Sequence, residues 1–140
     1  MPVERDLVTG VMQLANRLTR RLGPVFEKAK ITPQQWSVLS ALAAEETPIT
    51  LVALSRTLGV TKQNMTGMIA RLEQLGLADR HEDPQDLRSS RVQLTRRGRG
   101  LVDKLRPTYE AWLKTLGSDA LSERELQVLT RTIDRLIEML

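Results

Sequence analysis

The chain has no cysteine in its 140 residues. That excludes a disulfide-stapled secreted scaffold, a thiol nucleophile, a thiol redox sensor and a zinc–thiolate site together. It has one histidine, His81, too few for the usual nitrogen-ligated metals. No apolar run approaches the ~18 residues of a membrane span. The opening Met1-Pro2-Val3-Glu4-Arg5-Asp6 places acids where a signal peptide is hydrophobic. A cytoplasmic protein with no membrane partner is therefore expected. The chain also lacks a Ser/His/Asp constellation, a glycine-rich phosphate loop and a carboxylate cluster on one helix face, so it reads as a non-enzyme with no cofactor and no metal.

What is present is ordinary in amount and uneven in place. Apolar residues make up 41% and charged residues 27%, a balance that supports a folded core of about one domain. Lys plus Arg number 21 against 17 acids, for a net charge of +4. Residues 1–49 carry six basic and five acidic side chains, and 101–140 carry six and seven. Residues 50–100 carry nine and five, so the middle of the chain holds the excess. A basic centre in a balanced frame fits either a solvated face or a polyanion-binding module.

Both ends read as helices with one apolar stripe. Leu7, Val11, Leu14, Leu18, Leu22 and Val25 recur in steps of three and four, and the helix is expected to end or bend at Gly23-Pro24. Ser122-Glu123-Arg124-Glu125 is a capping box, followed by Leu126, Leu129, Ile133, Leu136, Ile137 and Leu140. Two long terminal stripes around a small centre point to a second subunit as their cover.

Three shorter helices lie between. Thr32-Pro33-Gln34-Gln35 supplies an N-cap, a proline at the first helical position and a reciprocal glutamine, with Trp36, Leu39, Leu42 and Ala43 inward. Thr50 caps the next, with Leu51, Leu54 and Leu58 inward and Gly59 as its stop; Thr61 then caps another. Helix, short glycine turn, helix is helix-turn-helix spacing, though any helical hairpin with such a turn resembles it. On the last helix Met65, Met68, Ile69, Leu72 and Leu75 share the core side, and Gly76 follows as a stop. The opposite side centres on Gln63, Gly67, Ala70 and Gln74, with Thr66 at its edge. An exposed glycine there costs about 1 kcal/mol relative to alanine. It fits a helix packed closely on another, or a face kept thin for the major groove with Gln63 reaching base edges.

After Gly76 the period becomes alternating. Leu77–Arg80 and Arg91–Leu94 read as two short strands with Val92 and Leu94 buried, joined by a polar tip from His81 to Ser90. Thr95 caps a further helix with Leu101, Leu105, Tyr109, Trp112 and Leu116 as its stripe and a kink or break expected at Pro107. A two-stranded ribbon after a helix-turn-helix is a winged helix. The fold class is mainly α with a small two-stranded wing: a winged helix-turn-helix flanked by dimerisation helices. The chain is read as one domain over 1–140, with a DNA-binding core at 33–98 and dimerisation helices at 1–32 and 99–140.

Over nearly its whole length the chain resembles the multiple-antibiotic-resistance regulator (MarR) family of bacterial transcription factors. The resemblance rests on Thr32-Pro33-Gln34-Gln35-Trp36, on Leu58-Gly59-Val60-Thr61-Lys62 with Arg71-Leu72-Glu73 and Leu75-Gly76-Leu77, and on the wing set Asp83-Pro84, Asp86, Arg88, Val92, Leu94-Thr95 and Gly98. It implies that Thr61, Lys62, Gln63, Asn64, Thr66 and Arg71 contact DNA, with Gly67 on the same face. It implies further that Arg88 enters the minor groove and that Asp86 orients it, although alone the two would read as a surface ion pair.

The function so implied is a sequence-specific double-stranded DNA-binding transcriptional regulator. The expected form is a ligand-responsive repressor working as a homodimer on a pseudo-palindromic operator. A small aromatic or phenolic effector is a common partner in the family; no effector-binding residues are assigned, and Trp36 is read as core. Absent cysteine removes thiol-based peroxide sensing, and a single histidine argues against zinc sensing. The competing reading is a constitutive or architectural DNA-binding protein of the same fold without an effector.

Overall fold

The computed structural model describes residues 2–83, 85–118 and 120–140, with side chains at all of these except 83, 86–89 and 118. Among the described residues six helices and three strands follow in the order α1 Val3–Phe26, α2 Pro33–Ala43, β1 Ile49–Thr50, α3 Leu51–Leu58, α4 Lys62–Gln74, β2 Ala78–Asp83, β3 Asp86–Leu94, α5 Arg96–Ser118 and α6 Glu123–Met139. A single 3-10 turn, Glu27–Ala29, links α1 to α2. The chain forms two compact units, Met1–Leu105 and Arg106–Leu140, and α5 runs across the boundary between them.

The first unit holds the winged helix. Its core gathers Trp36, Leu39 and Leu42 from α2, Leu51 and Leu54 from α3, and Met65, Ile69 and Leu72 from α4. Val92 and Leu94 are buried as alternation on β3 requires. The cap of α2 is reciprocal: the Gln35 amide donates to Thr32 Oγ1 at 3.1 Å, and the Thr32 amide donates to Gln35 Oε1 at 2.9 Å.

Three features depart from the sequence expectation. The sheet has a third strand, β1, in the antiparallel order β1-β3-β2, with Ile49 opposite Val92 and Thr50 opposite Arg91. Two residues carry no period, so a periodicity argument passes over them. The wing strands also reach further than four residues, pairing from Ala78–Leu94 out to Asp83–Asp86 with an irregularity after Glu82. The outer part of this ribbon is polar, and strand pairing through the backbone needs no apolar alternation there. Finally, neither proline ends its helix. α1 continues past Pro24 to Phe26, which is fully buried and stacks on Trp36 with centroids 5.0 Å apart. That ring contact offsets the single helical bond a proline in the last turn forgoes. α5 likewise continues through Pro107 without a break.

In the second unit α6 opens on a complete capping box. The Glu125 amide donates to Ser122 Oγ and the Ser122 amide to Glu125 Oε1, both at 3.1 Å. Val128, Leu129, Ile133 and Ile137 nonetheless lie exposed along α6. On α1, within the first unit, Leu7, Val11 and Leu14 are about half exposed. Among the described residues no helix is long and apolar enough to cross a membrane.

Candidate nucleic-acid interface

The turn between α3 and α4 is built by local chemistry. Gly59 takes the left-handed conformation at φ 67°, where a side chain is disfavoured. The Val60 amide then donates back to Ser55 O at 3.0 Å, closing the end of α3. Thr61 caps α4 by accepting from the Asn64 amide at 3.1 Å. Met65, Ile69 and Leu72 lock one side of α4 into the core, while Met68 and Leu75 are half-buried beside them.

That anchoring turns the other side outward. Gln63, Gly67, Ala70 and Gln74 are all exposed, as are Thr61, Lys62, Asn64 and Arg71. Thr66 is half-buried, and its hydroxyl donates to Lys62 O at 2.9 Å, which leaves its methyl group and its oxygen lone pairs to meet a ligand. Arg71 Nη1 donates to Gln74 Oε1 at 3.2 Å, so the guanidinium is steadied by its own helix. Lys62, Gln63 and Asn64 occupy the first turn of α4, where unpaired amides and the helix dipole favour an anion. A Cβ placed on Gly67 would meet nothing within 4 Å. Close packing inside the chain is therefore not the reason for this glycine.

Asp86 and Arg88 belong to β3; Asp86 pairs with Asp83, and Arg88 falls in the irregularity between that pair and Glu82–Ser90. Their side chains, with Pro84, lie outside the described residues. β3 is held at its base on both edges, and Arg91 Nη1 also reaches Pro48 O at 3.5 Å beside β1. Among the described residues no three His, Cys, Asp or Glu side chains converge to hold a metal ion.

One part of the interface was not legible in the sequence: the joint behind α4. Gly76, at φ 73°, ends the helix, and its carbonyl accepts from Thr95 Oγ1 at 2.7 Å. The Thr95 amide donates to Leu77 O at 3.1 Å, and Thr95 Oγ1 in turn accepts from the Gly98 amide at 3.0 Å. The first turn of α5 is thereby pinned to the end of the candidate reading helix. The cap at Thr95 is a local signal; its bond nineteen residues back is not.

Comparison with known proteins places this geometry. The sequence model of the MarR family matches residues 29–89. The transcriptional activatory protein BadR of Rhodopseudomonas palustris is 30% identical, over all of this chain and 79% of its own length. The S. aureus MepR–DNA complex superposes with a TM-score of 0.84 at 23% identity, covering 95% of this chain and 97% of that one. A mutant E. coli MarR complexed with operator DNA gives 0.83 at 24% identity, covering 94% and 93%.

Proposed function

The chain belongs to the MarR family of DNA-binding transcriptional regulators, and on that premise we propose that it binds a near-palindromic operator as a homodimer and represses by occupying it. The observation that carries this reading is the outward side of α4, which is polar, basic in its first turn and thinned by a glycine with no packing role. Thr61, Lys62, Gln63, Asn64, Thr66 and Arg71 take the DNA contacts around Gly67. Arg88 takes the minor groove and Asp86 braces it. Repression needs only occupancy of a promoter, whereas activation needs a further contact with polymerase.

The dimer follows from apolar surface left over. Residues 1–32 and 99–140 take the dimerisation role, and the exposed apolar side chains of α1 and of α6 support it. The core at 33–98 reads DNA. A cytoplasmic location, a small aromatic or phenolic effector and the absence of enzymatic activity belong to the same reading.

Selection of bound sequences from a random DNA pool, followed by footprinting, tests it. The expected site has two inverted half-sites about 10 base pairs apart on one face of the duplex. In sedimentation the wild-type chain runs as a dimer, and Ile133→Glu with Ile137→Glu yields monomer. Protection of one asymmetric half-site at saturation, or a wild-type monomer at micromolar concentration, overturns the reading.

The two reading elements separate by substitution. Gln63→Ala is expected to cost about 1–3 kcal/mol on the operator and to relax preference at one base pair per half-site, because the amide pairs with the major-groove edge of adenine. Arg88→Ala is expected to weaken all sequences evenly and to lower the salt slope by about one, because minor-groove contact reads charge and width. Binding curves on operator and scrambled DNA over a salt series check both. A single-base effect from Arg88 with none from Gln63 would reverse the assignment.

A further inference from the structure

We propose that Thr95 is a positioning residue for operator binding: its hydroxyl locks the glycine hinge that joins the major-groove helix to the minor-groove wing. The inference rests on the assignment of α4 and the β2–β3 wing as the two reading elements. α4 ends at Gln74 and β2 begins at Ala78, so three residues connect them, and the middle one is Gly76 at φ 73°. Glycine moves between backbone regions at little cost, which makes this the point about which helix and wing turn against each other. Simultaneous entry into two grooves needs that angle fixed, because a contact carried on a loose arm meets its target at a lower effective concentration.

The peptide between Gly76 and Leu77 is held from both sides. Its N–H donates to Leu72 O at 2.9 Å, within the turn that ends α4. Its C=O accepts from Thr95 Oγ1 at 2.7 Å. The first bond travels with α4; the second ties the same peptide to the residue that directly follows β3. Thr95 is itself aimed, since its oxygen accepts from the Gly98 amide at 3.0 Å and its amide donates to Leu77 O at 3.1 Å. Capping α5 needs only a lone pair on that oxygen, and the proton is spent on Gly76. Apolar packing does not replace this bond. Met65, Ile69 and Leu72 under α4, with Val92 and Leu94 under β3, hold the two bases together, but such contacts are not directional. A peptide bonded at both ends has one orientation.

The test uses the full chain and an operator selected by the wild-type protein, at a temperature where every variant is folded. Thr95→Val removes the hydroxyl at nearly constant shape, and Thr95→Ser keeps it. Thr95→Val is expected to bind the operator about tenfold more weakly, and Thr95→Ser within about twofold of wild type. Thr32→Ala, which removes the cap of α2 and so also lowers the melting midpoint, is the stability control and should bind as wild type. Double-mutant cycles supply the readout that a merely structural role would not move. Arg88→Ala should cost at least about threefold less in the Thr95→Val background than in wild type, because an unlocked wing already contributes little, whereas Gln63→Ala should cost the same in both. Wild-type affinity in Thr95→Val, failure of Thr95→Ser to restore binding, an equal loss in Thr32→Ala, or no coupling between residues 95 and 88 overturns the proposal alone. A wild-type chain that selects no operator overturns it together with the DNA reading, so the wild-type arm tells the two failures apart.

Discussion

Gly98→Ala is expected to lower the unfolding midpoint by roughly 10 °C. Gly98 is buried in the first turn of α5, and a Cβ there would run into the Leu77 carbonyl oxygen. No flexible side chain stands in the way to yield; the obstacle is backbone. The same oxygen accepts from the Thr95 amide at 3.1 Å, and Thr95 Oγ1 joins Gly76 O at 2.7 Å to the Gly98 amide at 3.0 Å. To make room the chain must open this joint. Overpacking of this kind costs about 1–3 kcal/mol, and each hydrogen bond lost adds about 1 kcal/mol. A total near 3 kcal/mol corresponds to roughly 10 °C for a chain of this size. Circular-dichroism melts at one fixed protein concentration check it, since an oligomer's midpoint depends on concentration. Gly100→Ala, two residues on with open space around it, is the control and should melt no lower than wild type. A Gly98→Ala midpoint within about 2 °C of wild type would show that the joint yields freely.

The joint also shows where sequence reading stops. Caps are local, so Thr32 with Gln35 and Ser122 with Glu125 were legible as reciprocal boxes from their spacing alone, and both form. The outward side of α4 was legible because a helix of fixed pitch anchored by Met65, Ile69 and Leu72 leaves one choice for Gln63 and Gly67. β1 was not, because Ile49 and Thr50 become a strand only by pairing with Val92 and Arg91. Phe26 was missed for a related reason: Pro24 read as a stop or a bend, and only the stacked Trp36 shows why the helix runs on to residue 26. Val102 escaped the stripe assigned to α5 yet is almost completely buried. What periodicity and capping cannot supply is contact between segments far apart in sequence, and Gly98 against Leu77 is of that kind.

At Gly67 stability and DNA binding are expected to move in opposite directions. The residue lies inside α4 on the exposed side, opposite the buried Met65, Ile69 and Leu72, and a Cβ there would touch nothing in the chain within 4 Å. Alanine should therefore fit and stiffen the helix, raising stability by up to about 1 kcal/mol. Leucine should also fold, since its side chain projects into solvent, and the variant should sediment as wild type does. On the proposed reading the same side faces the groove in the operator complex, where backbone and base edges would approach closely and leave a leucine no space. Gly67→Leu is expected to weaken operator binding at least about 100-fold, or about 2.7 kcal/mol. Gly67→Ala, with one methyl group, should fall between it and wild type. Melts and operator titrations on the same three preparations separate the effects. Loss of binding with retained or higher stability can arise only from the bound state, because nothing in the free chain occupies that space. Wild-type operator affinity in Gly67→Leu would mean that this side of α4 does not face the groove. The assignments of Gln63, Asn64 and Thr66, which share that side or its edge, would then fall with it.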